Sequence, residues 1–274
     1  MSKNIIFAAD KPCGISCSKF LSQIKKKYGV KKAGYSGTLD MLASGVLIVA
    51  FGQYTKLFRF LKKTPKCYEA VLWLGAKSKS LDAEYIESVQ ELPPFDIKKV
   101  HEAAVKLTGR VTYAPPKFSA KHVDGKRAYD LARSGVDFEL KEITTEVFDF
   151  QIKSYEHPLI TFEAAVSEGG YIRSLGAMMG AFLGVEGCLK SLRRISEGEF
   201  KYENEKPLLV TNFLNLEENF YDGEKEDLLL GRVLQKEQFK KNAHGEYFVL
   251  NDNFLSVVKI DENGVSYMLN RIEI

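Results

Sequence analysis

Strands interspersed with helices, closing in a β-rich tail, are what this 274-residue sequence predicts, and three observations carry that reading. Apolar runs of strand length stand between glycine- and proline-bearing turns, as at residues 5–9 and 46–51. Two stretches carry an apolar stripe at helical spacing: Phe20, Leu21, Ile24 and Tyr28, then Ile97, Val100, Ala104 and Leu107. Residues 230–274 alternate apolar and polar side chains around turns such as Asn251-Asp252-Asn253. The length admits one large domain, or one large and one small.

A hydrophobic fraction of 45% beside 27% charged residues is that of a soluble globular chain. No stretch reaches the length of a membrane span and Met1-Ser2-Lys3-Asn4 lacks a signal-peptide pattern, so no membrane and a cytoplasmic location are expected. Of the four cysteines only Cys13 and Cys17 are close in sequence, with no second Cys or His pair near them. Reduced thiols and no metal are therefore expected at Cys13, Cys17, Cys67 and Cys188. The net charge of +3 hides an asymmetry: residues 1–80 hold fifteen Lys or Arg against Asp10, Asp40 and Glu69. Such a basic excess suits a polyanion.

In chain order, the strand at 5–9 ends in the turn Asp10-Lys11-Pro12-Cys13-Gly14-Ile15-Ser16. Ser16 or Ser18 caps the following helix and Gly29 stops it, while Lys25, Lys26, Lys27, Lys31 and Lys32 crowd its outer face and exit. That cluster reads equally as a solvated helix end or as a phosphate contact. Residues 34–45 then hold three glycines and one carboxylate, Asp40, ahead of the apolar run Val46-Leu47-Ile48-Val49-Ala50. This is a shaped loop feeding a buried strand. A carboxylate with apolar neighbours must be paired, solvated or used, and chemistry alone weighs a turn-capping Asp evenly against a functional one.

Gly52 breaks the chain, residues 55–62 have helical spacing, and residues 66–75 form a strand with both faces partly apolar. Pro93-Pro94 precede a helix that Asp96 caps and Gly109 ends. His101 lies on it; like His122, His157 and His244 it has no partner spacing, so no histidine takes a catalytic role. Residues 111–135 interleave aromatics with Lys117, Lys121, Lys126, Arg127 and Arg133, a pattern that stacks on bases and meets phosphates. Strands follow at 136–140, 146–152 and 159–166. Gly169-Gly170 open a helix whose first N–H groups stay free for an anion or a close ligand. Met178, Met179 and Phe182 read as core, and residues 189–200 as a further strand.

Ordered motif blocks across residues 5–200 resemble the TruB family of tRNA pseudouridine synthases. Residues 34–47 resemble G-H-x-G-T-L-D-P-L-A-T/S-G-V-L, with Tyr35 for His and Met41 for Pro. Asp10 to Ser16 resemble D-K-P-x-G-[IW]-[ST], and Tyr68 falls on the family's K-x-Y-x-A strand. The T-x-T-x-D-x-x-G segment keeps Asp82 but has Tyr85 for Gly. Residues 113–125 resemble Q-x-P-P-x-Y-S-A-x-K-x-x-G, with Tyr113 for Gln and Phe118 for Tyr; Tyr129 to Gly135 resemble Y-x-x-A-R-x-G. Residues 166–175 resemble V-S-x-G-T-Y-I-R-[ST]-L with Gly170 for Thr, and 189–200 resemble L-x-x-L-R-R-x-x-x-G-x-F.

The resemblance implies an α+β fold: a pseudouridine-synthase core over residues 1–210, with a mixed, mainly antiparallel sheet flanked by helices. It adds an RNA-binding thumb at about 113–142 that closes on the RNA arm, and a small β-rich C-terminal module at 211–274, a reduced RNA-binding domain. That module is neither basic nor aromatic enough to establish RNA contact by itself. The implied reaction converts uridine 55 in the TΨC stem-loop of tRNA to pseudouridine, by a monomer with no cofactor. Asp40 is the implied nucleophile and Arg173 its ion-pair partner. Tyr68 and Tyr171 suit a flipped-out base, one as a stacking face and one as hydroxyl donor and acid/base candidate. The catalytic set is thus Asp40, Tyr68 and Arg173. Tyr35, Lys56, Tyr171 and Leu192, again with Tyr68, bind substrate. The carboxylate either adds to C6 of uracil or traps C1′, and the sequence does not choose. A reading of another class is a tRNA-binding folding helper whose catalysis is dispensable; such a binder has no use for Asp40, Tyr171 and Arg173 together.

Overall fold

In a computed structural model, described for residues 4–123 and 125–274, the first two-thirds of the chain winds into one nine-stranded sheet. Met1–Lys3 and Asp124, the latter inside the second long motif, lie outside the described residues. The chain opens with β1 (Ile5–Lys11), α1 (Cys17–Tyr28), β2 (Ala33–Ser36), β3 (Ala43–Phe51) and a 3-10 helix (Gly52–Phe60). It continues through β4 (Lys66–Leu74), β5 (Ala76–Ser78), β6 (Ile86–Val89), α2 (Ile97–Val105) and β7 (Gly109–Tyr113). The expected thumb region holds the short hairpin β8 (His122–Val123) and β9 (Lys126–Arg127) and then α3 (Ala128–Arg133). β10 (Ile143–Glu156), β11 (Leu159–Val166), α4 (Ile172–Phe182), β12 (Gly187–Glu197) and β13 (Phe200–Lys201) complete the sheet.

The strand order is β1-β3-β12-β4-β11-β10-β7, with β2 paired to β3 and β13 to β12. Every pairing is antiparallel except β3 with β12, where Leu192, Arg193 and Arg194 lie beside Ala43, Ser44 and Gly45. The sheet is therefore mixed and mainly antiparallel, and the α+β class expected from the sequence is the one observed. The single parallel pairing brings the Asp40 loop to the Leu192–Arg194 segment. β3 is buried along nearly its whole length, as a strand covered on both faces must be.

Alternation along β1 and β3 sorts the side chains onto two faces. Phe7, Ala9, Leu47 and Val49 meet Phe20 and Ile24 of α1, Val100 and Ala104 of α2, and Leu175 and Met179 of α4. On the other face Ile6, Ala8, Val46, Ile48 and Ala50 meet Tyr54, Leu57 and Phe60 of the 3-10 helix and a second sheet. That sheet comprises β14 (Glu217–Glu218), β15 (Gly245–Asn251), β16 (Phe254–Asp261) and β17 (Gly264–Glu273), with α5 (Lys225–Leu230) between its first two strands. No helix of the described residues is long and apolar enough to cross a membrane.

Two expectations are corrected. Residues 136–140 are not a strand: their alternation is real, but they pair with no strand of the described residues. Instead Lys117 Nζ holds Asp137 at 2.6 Å and stands 5.5 Å from the Phe138 ring centre. Phe182 is not core but 41% exposed, because it sits on the last turn of α4 with Lys106 Nζ 5.3 Å from its ring centre. The helix expected at 55–62 forms as a 3-10 helix over Gly52–Phe60, starting three residues and ending two residues earlier. Of the two candidate caps for α1, Ser16 is the one used: its hydroxyl accepts the Lys19 N–H at 3.2 Å.

Candidate active site

The loop that carries Asp40 is pinned from below. Cys17 Sγ accepts the Leu39 N–H at 3.2 Å and donates to the Leu39 carbonyl at 3.3 Å. Arg194, wholly buried on β12, donates Nε to Val46 O at 2.8 Å and an Nη to Gly37 O at 2.7 Å. Glu197 pairs with Arg194 and with Lys66, both at 3.2 Å. Gly37 has φ +72°, and a Cβ there would strike the Glu197 carboxylate, so glycine is required on two counts. Burial holds the Lys11 ammonium below its ordinary pKa, and its protons go to Pro12 O and Ile15 O, both at 2.9 Å.

Above this floor, Arg173 is the centre. It lies on the first turn of α4 and is 3% exposed. One Nη reaches Asp40 Oδ2 at 2.9 Å and Phe118 O at 2.8 Å; the other reaches Ser80 O at 2.7 Å and Asp82 Oδ2 at 3.4 Å. Asp82 is itself buried and accepts from the Ser80 hydroxyl at 2.5 Å and the Glu84 N–H at 3.0 Å. The two carboxylates differ in one respect that matters. Both border the larger of two hollows, but the Asp82 side chain is 4% exposed, while that of Asp40 is 39% exposed and also opens onto the smaller one. A buried guanidinium so held is a fixed cation that pins a solvent-reachable carboxylate at the edge of that smaller hollow.

A hollow of about 80 Å³ is lined by Asp40, Tyr68, Tyr171, Arg173 and Leu192, so five of the sequence-predicted site residues meet in one place. Tyr68 comes from β4, Leu192 from β12 and Tyr171 from the cap of α4. Burial raises both phenol pKa values, so each ring presents a neutral hydroxyl at physiological pH. Tyr35 lines a second, larger hollow of about 370 Å³ on the other side of Asp40, together with Arg127, Tyr129 and Arg133. Glu84 borders it too, its carboxyl pKa raised first by burial and then by Asp82. Lys56, exposed on the 3-10 helix, lines neither hollow. Sequence reasoning assigned Asp82 no role, and the kept Asp of its motif was the one available signal. It gave no sign of the Arg194–Glu197–Lys66 cluster, whose members meet through the β4–β12 register.

Tyr85 and Phe118, two departures from the family pattern, face each other. Their rings stack at 4.6 Å with 30° between planes, and Tyr129 meets Phe118 edge-on at 5.9 Å. The side chain gained at 85 thus packs against the ring at 118.

Comparison with known proteins agrees with this architecture. The family model described as "TruB family pseudouridylate synthase (N terminal domain)" matches residues 25–172. The tRNA pseudouridine synthase B of Campylobacter curvus is 52% identical over 98% of this chain and 99% of its own. That of Sulfurimonas denitrificans is 51% identical with the same coverage. Among solved structures, a chain of a "Cbf5-Nop10-Gar1 Complex" superposes with a TM-score of 0.66 at 19% identity, covering 98% of this chain and 84% of that one. A chain of an "H/ACA RNP bound to a substrate RNA containing 2'-deoxyuridine" gives 0.66 at 18%, covering 98% and 85%. At such identity these two speak for the fold alone. The chain belongs to the TruB family of pseudouridylate synthases. It is accordingly an enzyme, an isomerase.

Proposed function

We propose that the protein converts uridine 55 in the TΨC stem-loop of tRNA to pseudouridine, with Asp40 as the nucleophile. The observation that carries this reading is the half-exposed Asp40 carboxylate, 2.9 Å from a buried Arg173, opening on a hollow lined by Tyr68, Tyr171 and Leu192. A base stacked in an RNA helix cannot reach such a carboxylate, so the uridine is everted first. The N1–C1′ bond breaks, the uracil turns, C5 bonds to C1′, the C5 proton leaves and N1 gains one. Asp40 holds the intermediate by adding to C6 or by trapping C1′; both routes need the same placement. Arg173 holds the Asp40 carboxylate in place through the 2.9 Å ion pair, and the neutral phenols of Tyr68 and Tyr171 offer a face and a hydroxyl to the base. One C–N bond is exchanged for one C–C bond without change of redox state, so the chemistry asks for no cofactor.

In this reading residues 1–210 are the catalytic unit, acting as a monomer, and the arm at about 113–142 closes over the RNA. Arg127 and Arg133 beside Tyr35 and Tyr129 supply charge and stacking for the nucleotides next to the target. The test is incubation with unmodified tRNA transcript and mapping of pseudouridine. Wild type should modify position 55; Asp40→Asn should lose turnover while keeping RNA affinity within about tenfold, since phosphate contacts dominate affinity. Multiple turnover by Asp40→Asn would remove Asp40 from the nucleophile's role. Retained binding without any pseudouridine from wild type would favour the folding-helper alternative.

A further inference from the structure

Tyr113 ends β7 with its ring buried, at a position where the family pattern has Gln. Its phenol oxygen accepts the backbone N–H of Tyr171 at 2.8 Å and shares a hydrogen bond of 2.7 Å with Thr145 Oγ1 on β10. Tyr171 is the cap residue of α4, so its N–H has no helical partner of its own. Thr145 is buried on the inward face of β10, paired with Val111 and hence diagonal to Tyr113. Its methyl occupies the space where a side chain at residue 170 would stand: a Cβ on Gly170 would lie 2.8 Å from Thr145 Cγ2 and 3.1 Å from Val166 Cγ2. Space, not backbone conformation, keeps that residue glycine, because its φ is not in the left-handed region. The bare Gly170, the Thr145 methyl and the Tyr113 hydroxyl therefore interlock, and two of the three positions depart from the family pattern.

We infer that Tyr113 is a positioning residue for the isomerisation: its phenol oxygen fixes the Tyr171 backbone. Through that backbone it sets the Tyr171 ring and Arg173, two residues on, against Asp40. The inference rests on the reading that Tyr171 and Arg173 serve the uridine site. In this chain one aromatic hydroxyl and one missing side chain provide the anchoring.

The experiment uses the full chain and a tRNA transcript. Tyr113→Phe keeps the ring and its packing but leaves the part-buried Tyr171 N–H without its acceptor. Its kcat should fall roughly tenfold while KM changes less than about twofold, the loss expected when one part-buried hydrogen bond is removed from a site and binding lies elsewhere. Gly170→Ala should lose rate by crowding Thr145 from the other side. Adding Thr145→Ser, which deletes the methyl and keeps the hydroxyl, should recover most of that loss; this non-additivity is the mark of contact. A wild-type kcat in Tyr113→Phe, or no recovery in the double variant, would overturn the inference. Absence of pseudouridine with the wild-type protein would instead sink the functional reading beneath it.

Discussion

Arg173 divides one guanidinium among two carboxylates and two carbonyls, and this sharing separates what each partner contributes. Asp82 is buried, so removing its cation leaves an unpaired charge in the interior; Asp40 is partly solvated and loses less. Arg173→Ala should therefore destabilise the fold by about 3–5 kcal/mol. Asp40→Asn should cost under about 1 kcal/mol, as for a solvent-reached pair. Denaturant unfolding of the two variants measures this, and equal losses would show that Asp40 is a structural carboxylate. Asp40 and Arg173 were legible in the sequence because each sits in a dense motif. Asp82 was not, because nothing local reveals that a loop residue after β5 ends beside a helix ninety residues later.

At the scale of elements, the strands and helices legible in the sequence were those with strong local signals: a buried run for β3, a serine cap and glycine stop for α1, an aspartate cap for α2. Residues 136–140 misled because alternation reports a two-sided environment, not the presence of a neighbouring strand. What fastens the segment after β7 was equally hidden. Tyr85 lies on the β5–β6 loop, yet its ring stacks on Phe118 ahead of the β8–β9 hairpin, and the Phe118 carbonyl accepts from Arg173. An aromatic pair of this kind is worth about 0.5–1.5 kcal/mol. Tyr85→Gly should accordingly speed amide exchange over residues 119–135 by roughly two- to tenfold, whereas Tyr85→Phe should leave it near wild type. Unchanged exchange in Tyr85→Gly would mean that this segment is held by its own hairpin and α3 alone.

Across the whole molecule, every residue lining the hollow at Asp40 comes from the first two hundred, yet the sheet that carries them is sealed by the last sixty. Phe248, Leu255, Val257 and Ile272 share a cluster with Ile6, Ala8, Val46, Ile48 and Ala50, the face of β1 and β3 turned away from the site. Polar ties reinforce the seam: Asn4 Nδ2 donates to Glu273 O at 2.9 Å, and the Glu273 N–H donates to Gln53 Oε1 at 3.0 Å. Compositional reading sees the tail as a small β-rich appendage because alternation fixes its strands but says nothing of what their buried face covers. Each large apolar side chain withdrawn from water contributes about 1.5–3 kcal/mol, so four of them amount to roughly 6–12 kcal/mol. Total stabilities of single domains are about 5–15 kcal/mol, which leaves little margin once that contribution is gone. A chain ending at residue 210 should then fail to unfold cooperatively on heating, and should aggregate through the bared strands, although it retains the complete Asp40 site. Calorimetry and sedimentation of the truncated protein measure both. A cooperative transition near that of the full chain, with undiminished pseudouridine formation, would show instead that the 3-10 helix (Gly52–Phe60) is cover enough for β1 and β3 and that the C-terminal sheet serves some purpose other than closing the core.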